Sequence, residues 1–430
     1  MLDKNFILND SKYFLDSLKT KTSDQSTLDK AEKLLYTIKN RRELSSNLDN
    51  LKSYFNKETF EFQKKMKVLS EDELFAKKQN LIVLKDNIKN QTETLESLQL
   101  EEESLLLEIP NLPHHTSPIG RSDSDNPIIR YFLKEDCHKK PLTHDKIGEN
   151  LLSSDEAASL SGSRFMVLHK EMAKLERSLI NFFLDLHSEN NYEEVMVPYI
   201  VTREVMTGTG QLPKFEEDLF SLKTQLSNQD AFLIPTAEVP VTNLYRAKIL
   251  SEESLPIKHC CFSPCFRAEA GSAGRDTKGL IRLHQFHKVE LVVISKPDVS
   301  LQVLEEITSD AENCLKLLKL PYRVVERCTA DLGFGGHKGY DIEVWMAGQD
   351  SYREISSCTN FSDFQARRAK IRYKDSNGKN LYPHTLNASG LAVGRTMAAL
   401  LEHYQEDNNV KIPEVLIPYY GSSYLFSKGI

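Results

Sequence analysis

The stretch Phe266-Arg-Ala-Glu-Ala-Gly-Ser-Ala-Gly-Arg-Asp-Thr-Lys-Gly-Leu-Ile-Arg-Leu-His-Gln-Phe-His-Lys-Val-Glu290 reads as a strand, a long polar glycine-containing loop and a second strand. Residues an even number apart on a strand share a face, so Arg267 and Glu269 are expected on one face of the first strand. Phe286 and Glu290 are expected together on the second. If those faces meet, a guanidinium, a carboxylate and an aromatic ring line one surface. Arg suits the clamping of a phosphate or carboxylate, and Phe offers a stacking plane for a base. The plain alternative is a hairpin with a charged, solvated face. Two phosphate signatures fail nearby. Gly274 and Gly279 have P-loop spacing, but Leu280 and Ile281 stand where its Lys and Ser/Thr belong, and Gly333-Phe-Gly335 lacks the third glycine of a dinucleotide fingerprint. A bound nucleotide must be held another way.

Further along, Asp341-Ile-Glu-Val-Trp345 is followed by Tyr352-Arg-Glu-Ile-Ser-Ser-Cys-Thr-Asn360. Alternation places Glu354, Ser356, Cys358 and Asn360 on one face, a carboxylate beside hydroxyls that suits Mg²⁺; a polar edge strand is the other reading. The run from Asn387 through Arg395 to Leu401 reads as a helix of small residues able to pack closely on a sheet, with Arg395 free to cap or snorkel. Upstream, an apolar stripe predicts a helix over about 168–187. Short β-rich runs at 195–201, 231–234, 289–294, 324–325 and 342–345 are irregularly spaced. With no βαβ alternation and no internal repeat, the fold class is α+β: a mostly antiparallel sheet with helices outside.

The first 110 residues are different in kind. They hold no Gly and no Pro before Pro110, which predicts long helices. Steps of three and four from Leu81 meet Leu81, Leu84, Ile88, Gln91, Leu95, Leu98, Glu102, Leu105 and Ile109, and a similar seam runs Leu44, Leu48, Leu51, Phe55, Glu58, Phe62, Lys65, Leu69. Between them Ser70-Glu-Asp-Glu73 forms a capping box. Two seams separated by a helix start predict an antiparallel hairpin, each helix about 60 Å long at 1.5 Å per residue. Lys52, Lys57, Lys64, Lys65, Lys67, Lys77, Lys78, Lys85 and Lys89 cluster around its tip, where RNA backbone could be met; a solvated coiled-coil surface is the plain alternative. Pro110-Asn-Leu-Pro113, Pro118, Gly120 and the Ser/Asp-rich run to Pro127 read as a linker. The expected organisation is a helical arm over 1–109, a linker over 110–130, an α+β domain over 131–420 and a tail over 421–430.

The chain has 430 residues, with 55 Lys and Arg against 62 Asp and Glu, a formal charge of −7. No global positive field draws in nucleic acid or an anionic membrane, so any such contact needs a local patch. No run approaches the roughly 20 apolar residues of a membrane span, and the first residues lack signal-peptide order. Seven irregularly spaced Cys argue against a disulfide framework and for a reducing cytoplasm. No structural zinc is expected from His259, Cys260, Cys261 and Cys265, because adjacent cysteines cannot both sit comfortably in one compact site.

These residues resemble the three motifs of class II aminoacyl-tRNA synthetases, specifically the bacterial-type seryl-tRNA synthetase family. Motif 1 is similar to the helix ending near His187 plus Tyr192-Glu-Glu-Val-Met-Val-Pro198, motif 2 to Phe266-Arg-Ala-Glu269 through Arg282-Leu-His-Gln-Phe286, and motif 3 to Gly390-Leu-Ala-Val-Gly-Arg395. Thr207-Gly-Thr-Gly-Gln-Leu-Pro-Lys-Phe215, Pro235-Thr-Ala-Glu-Val-Pro240 and Glu354-Ile-Ser-Ser-Cys-Thr-Asn-Phe361 resemble segments particular to the seryl member. The hairpin resembles its tRNA-binding arm, so the likeness spans essentially the whole chain.

The resemblance implies activation of L-serine with ATP and transfer to the 3′ end of tRNA(Ser), with tRNA(Sec) left open as a second acceptor. It implies Arg267 and Arg395 as catalytic residues. ATP would be held by Arg267, Ala268, Glu269, Phe286, Glu354, Ile355, Ser356, Ser357 and Arg395, with Glu269 accepting from the adenine amino group and Phe286 and Arg395 covering the ring faces. Serine would be held by Thr236, Ala237, Glu238, Arg267, Glu290 and Ser389, and Mg²⁺ by Glu354 and Ser357. Glu290 interrupts Val289-Glu-Leu-Val-Val-Ile294, where a buried carboxylate needs a partner; the alternative to a serine contact is an ion pair with a basic neighbour. Segments 270–279 and 207–214 are expected as mobile covers. A cytoplasmic homodimer is implied, with neither membrane nor DNA as partner. Departures from the family's pattern are modest: Ala388 stands where Gly is frequent, Thr359 where Ser is, and Gly336-His337 where small residues are usual. A non-catalytic relative would be expected to lack Arg267, Glu354 or Arg395, and a carrier-protein ligase on the same core would lack the hairpin.

Overall fold

The computed structural model describes residues 1–133, 141–270, 278–406 and 409–427. They form two compact units, Leu2–Pro110 and the chain from Asn111 onward.

The first unit is helical. Helices α1 (Lys4–Asn9), α2 (Ser11–Lys21), α3 (Gln25–Lys65) and α4 (Glu71–Glu108) follow one another. Each starts at an acidic or hydroxyl side chain that accepts from a free first-turn amide: Asp3, Asp10, Asp24 and Ser70. Ser70 completes the expected capping box, with Glu73 reaching back to the Ser70 amide at 2.9 Å. The long pair α3 and α4 is antiparallel, and the heptad positions are the covered ones. All nine slots of the second seam, from Leu81 to the C-cap Ile109 of α4, are buried or half-buried, as are seven of the eight of the first, of which Lys65 is exposed and Leu69 lies just beyond α3. Glu102 occupies a seam slot without any exposure; its carboxylate takes Arg41 Nε at 2.6 Å and Lys4. Of the tip lysines, only Lys77 is half-buried; the others are exposed.

The second unit is built on an eight-stranded sheet: β1 (Ile128–Phe132), β2 (Glu193–Glu194), β3 (Ile257–Phe266), β4 (Gln285–Ser295), β5 (Tyr322–Glu326), β6 (Lys338–Met346), β7 (Ser351–Asn360) and β8 (His384–Ala392). In space the order is β1-β5-β6-β7-β8-β4-β3-β2. Every pairing is antiparallel except the short one of β2 with β3. Helices α5 (Lys170–Glu189), α6 (Ser300–Leu317) and α7 (Val393–His403) cover one face. On α5 the buried stripe is Met172, Leu175, Leu179, Phe182 and Leu186, packed with Val289, Leu291 and Val293 of β4. A smaller sheet of Ile200–Thr202, Gln229–Leu233 and Ser221–Leu226 stands apart.

Within the stretch read as a linker, 110–130, the start is packed, with 110–113 and Ser117 buried, while 121–125 are exposed. Asn111 is buried and its Nδ2 donates to the carbonyls of Gly335 and Phe361, each at 2.9 Å, and residues 128–130 belong to edge strand β1. The run read as one helix from Asn387 to Leu401 is half strand: β8 carries it to Ala392, and only from Val393 does it turn helical. Small residues serve both halves there. A Cβ on Gly390 would meet His187 Nε2 at 2.6 Å, so the strand can lie against α5 only because that position has none.

Candidate active site

Alternation along β4 sends Val289, Leu291 and Val293 to the helices and Phe286, Lys288 and Glu290 to the opposite face. The neighbouring strand β8 carries an extra residue at Gly390, since Val289 pairs with Leu391 but Glu290 with Ser389. That bulge keeps Asn387 and Ser389 on the face of Glu290 while Leu391 returns to the core. Glu290 has no exposure, and its carboxylate pairs with Lys288. The ion pair with a basic neighbour is thus what this structure holds. Asn387 Nδ2 donates to Glu290 Oε1 at 2.9 Å and to Glu238 Oε2 at 3.1 Å, while Gln365 donates to the other Glu238 oxygen at 2.6 Å. Lys288 Nζ also donates to Thr236 Oγ1 at 3.1 Å. Two buried carboxylates thus accept from one amide, while the single ammonium, that of Lys288, pairs with Glu290. Burial, and next the Glu290 charge, push the Glu238 carboxyl up to about 7. A small ligand bearing an ammonium would supply the positive charge this cluster lacks.

Strand β3 ends at Phe266, so Arg267 and Glu269 lie beyond it and strand parity does not relate them. Glu269 instead has a left-handed backbone, φ 52°. Its carboxylate accepts from Arg282 Nε at 2.6 Å. Arg267 lies over the Phe286 ring, 5.2 Å from its centroid, and its Nε donates to the Pro235 carbonyl at 3.3 Å. Arg395 donates from Nε to the Ile281 carbonyl at 3.2 Å and also to the Glu354 carbonyl. It therefore ties together the two segments that flank the cleft.

The expected face of Glu354, Ser356, Cys358 and Asn360 is not formed. β7 also bulges: Ile342 pairs with Ser356 but Glu343 with Glu354, leaving Ile355 as the extra residue. Parity therefore reverses at Ile355. Glu354 now shares its face with Ser357, opposite Glu343 and Asp341, while Ser356 turns inward and donates to the Ser389 carbonyl at 2.6 Å. Arg327 reaches this surface, with Nη1 3.2 Å from Ser357 Oγ and Nε 3.6 Å from Asp341. Burial, eased by Arg327 and reinforced by Glu354, pushes the Asp341 carboxyl up to about 7. Three residues apart in sequence, Glu354 and Ser357 offer hard oxygens to one side only because of the bulge.

Some of these groups line two adjoining hollows. One, of about 480 Å³, is bordered by Phe286, Lys288, Glu354, Ile355, Ser389 and Arg395; the other, of about 520 Å³, by Gln211, Phe215, Thr236 and Glu238. Arg267, Glu269 and Arg282 border both. Of the residues singled out in the sequence, Ala237, Ala268, Glu290, Ser356 and Ser357 border neither hollow: Ala237 packs among Val197, Val241, Cys261 and Val292, and Glu290 lies behind the lining residue Lys288, with which it is paired. Of the segment 270–279, residues 271–277 lie outside the described residues. The segment 207–214 is helical at its start, closing the helix Arg203–Thr209. Sequence reading passed over Lys288, Asn387 and Gln365. The first was legible, since it shares parity with Phe286 and Glu290, and Asn387 shares parity with Ser389; Gln365 comes from a remote helix and left no local signal.

An antiparallel sheet with one arginine just beyond β3, at the mouth of the β3–β4 hairpin, and a second where β8 passes into α7 has the arrangement of a class II aminoacyl-tRNA synthetase core, and comparison with known proteins bears this out. Residues 220–404 match the family model described as tRNA synthetase class II core domain (G, H, P, S and T), and residues 1–113 match the seryl-tRNA synthetase N-terminal domain. The chain is 48% identical to the serine–tRNA ligase of Listeria welshimeri over 98% of both chains, and 53% identical to that of Bacillus cereus over 78% of this chain and 80% of the other. Its fold matches the crystal structure of seryl-tRNA synthetase from Pyrococcus horikoshii complexed with ATP, at TM-score 0.92 and 35% identity over 99% of each chain. The chain belongs to the seryl-tRNA synthetase family.

Proposed function

We propose that this protein is a serine–tRNA ligase that joins L-serine to ATP and passes the seryl group to the 3′ end of tRNA(Ser). A serine carboxylate oxygen attacks the α-phosphorus, the bond to the bridging oxygen breaks, and pyrophosphate leaves. A ribose hydroxyl of the tRNA end then attacks the carbonyl carbon and AMP departs. The nucleophile is ionised at pH 7, so the first step needs no general base. The observation that carries this reading is that Arg267 borders both hollows. One guanidinium so placed can hold the carboxylate and the α-phosphate together and stabilise the charge that builds between them. Thr236, Glu238, Glu290 and Ser389 receive the amino acid, whose hydroxyl satisfies polar groups that alanine would leave unpaired. Glu269 accepts from the adenine amino group, and Phe286 and Arg395 flank the ring.

Among the described residues no group of three or more His, Cys, Asp or Glu could by itself hold a metal ion. Glu354 and Ser357 on one face nonetheless suit Mg²⁺, which takes one or two protein oxygens and fills its remaining positions with phosphate oxygens and water. Bound there it would neutralise phosphate charge and ease departure of pyrophosphate. The division at Pro110 supports a tRNA-gripping arm separate from a catalytic domain, its exposed tip lysines meeting RNA backbone. The motif 1 resemblance supports a homodimer. No described helix is long and apolar enough to cross a membrane; the sparse, irregularly spaced cysteines support a cytoplasmic enzyme. tRNA(Sec) would be offered as a second acceptor in the charging assay.

The test is amino-acid-dependent ATP–pyrophosphate exchange with serine, threonine, alanine and glycine, on the wild type and on Arg267→Ala. Exchange with serine alone is expected, falling about 10²-fold or more in the variant, as when a transition-state donor is removed. Absence of serine-dependent exchange would end the reading; near-normal exchange in the variant would remove Arg267 from its centre.

A further inference from the structure

We infer that Asp218 is a positioning residue for nucleotide recognition, holding Glu269 in the one backbone conformation that aims its carboxylate into the cleft. This deepens the proposed function and rests on its reading of Glu269 as the acceptor for the adenine amino group. Glu269 is a non-glycine residue at φ 52°, a conformation that L side chains resist unless their surroundings impose it. The imposing contacts come from a single residue on both sides. The Ala268 amide donates to the Asp218 carbonyl at 2.9 Å, and the Ala270 amide donates to Asp218 Oδ1 at 3.1 Å. On the strand side, the Arg267 amide donates to the His284 carbonyl at 2.9 Å. The amides of Arg267, Ala268 and Ala270 are thus fixed around Glu269, and its carboxylate is delivered to Arg282.

Asp218 is itself held from elsewhere. It closes the 3₁₀ turn Glu216–Asp218. Arg203 pairs with Glu216 in that turn and with Asp230 of the small sheet at 2.9 Å. The next residue, Leu219, is buried among Val201, Met206, Phe232 and Ile234. The turn is therefore anchored to the small sheet, on the side of the cleft that carries Thr236 and Glu238. The amino-acid side of the cleft sets the backbone of the residue that reads the base.

The experiment is serine-dependent pyrophosphate exchange with ATP and with purine riboside triphosphate, which lacks the 6-amino group. The readout is the ratio of the two kcat/KM values. In Asp218→Ala the KM for ATP rises and the ratio falls about tenfold. In Asp218→Asn, whose amide oxygen can still accept from Ala270, the ratio stays within about twofold of wild type. A residue that merely stabilised the fold would lower both nucleotides equally, and an unchanged ratio in Asp218→Ala overturns the inference. Should Asp218→Ala not yield soluble protein, Asp218→Ser, which shortens the acceptor, is judged by the same ratio. Glu269→Ala separates the two levels. If it leaves the ratio intact, the adenine reading of Glu269 fails, and the inference with it. If it collapses the ratio while Asp218→Ala does not, the adenine reading stands and the role of Asp218 is refuted.

Discussion

Replacing Glu290 by Gln tests whether the Glu290–Lys288 pair serves the substrate or only the fold. Glu290 has no exposure and the Lys288 side chain is 7% exposed, so neither charge can turn to water when its partner is lost. Breaking a buried pair from one side costs about 3–5 kcal/mol. Gln keeps a carbonyl for the Asn387 amide and Lys288 keeps Thr236, so the lower end, about 3 kcal/mol, applies. For a unit of about 320 residues, melting entropy converts that into a fall of roughly 4–5 °C in Tm. If the carboxylate also receives serine, the loss of a charge-assisted bond adds about 1.5–3 kcal/mol to binding, a rise of roughly 10- to 150-fold in the serine KM. The two effects separate in Glu290→Gln/Lys288→Met, where the orphaned ammonium is gone. Thermal stability should largely return while the serine KM stays high and selection against alanine stays eroded. Calorimetry or dye-monitored melting reads the first, and pyrophosphate exchange over a serine titration reads the second. A single variant that melts early yet keeps its serine KM within twofold would refute the reasoning and leave Glu290 a structural ion pair.

Three further outcomes follow from the same geometry. Glu238 titrates near 4.5 when unfolded but near 7 when folded, chiefly through burial, so its ionisation destabilises the folded state increasingly as pH rises from 4.5 and levels off above about 7. Serine binding, which favours the ionised carboxyl, should release a fraction of a proton at pH 7, and the serine KM should rise as pH falls from 8 to 6; a flat profile contradicts this. In the arm, Glu102→Ala should cost about 2 kcal/mol, below the fully buried range because Arg41 and Lys4 are 21% and 38% exposed; amide exchange in α3 and α4 should quicken while pyrophosphate exchange is unchanged. Bridging out residues 44–105 with glycines should spare adenylate formation and abolish tRNA charging, and surviving charging would dismiss the tRNA-gripping role of the arm.

The arm was legible almost residue by residue because its rule is local. A helix of about forty residues repeats its geometry without interruption, so a period of 3.5 identifies the covered slots wherever the neighbour lies. Even the polar seam slot Glu102 keeps its place, compensated by Arg41 from the same unit. The short helices α1 and α2 were less visible. Each is too short to show a period, and their starts are marked only by Asp3 and Asp10.

In the catalytic unit the residue types were legible but their faces were not, because regular alternation fails at three places, twice at a bulge and once at a strand end. Parity along a strand assumes one residue per step, and a bulge inserts one that sequence does not announce. At Ile355 it moves Ser357, rather than Ser356, to the side of Glu354. At Gly390 it lets Ser389 and Leu391 face opposite ways although two residues apart. At Glu269 the strand has already ended, and a left-handed backbone does the aiming that alternation was expected to do. Gly390 left a trace, since only a residue without Cβ fits against His187; Ile355 and Glu269 left none. These irregularities coincide with the residues nearest the proposed chemistry for a physical reason. A regular pleat repeats its directions every second residue and spaces like-facing groups about 7 Å apart along the strand. Bringing a carboxylate, a hydroxyl and a guanidinium to bear on one small ligand requires directions that the pleat does not offer. The departures from regularity are how this sheet supplies them.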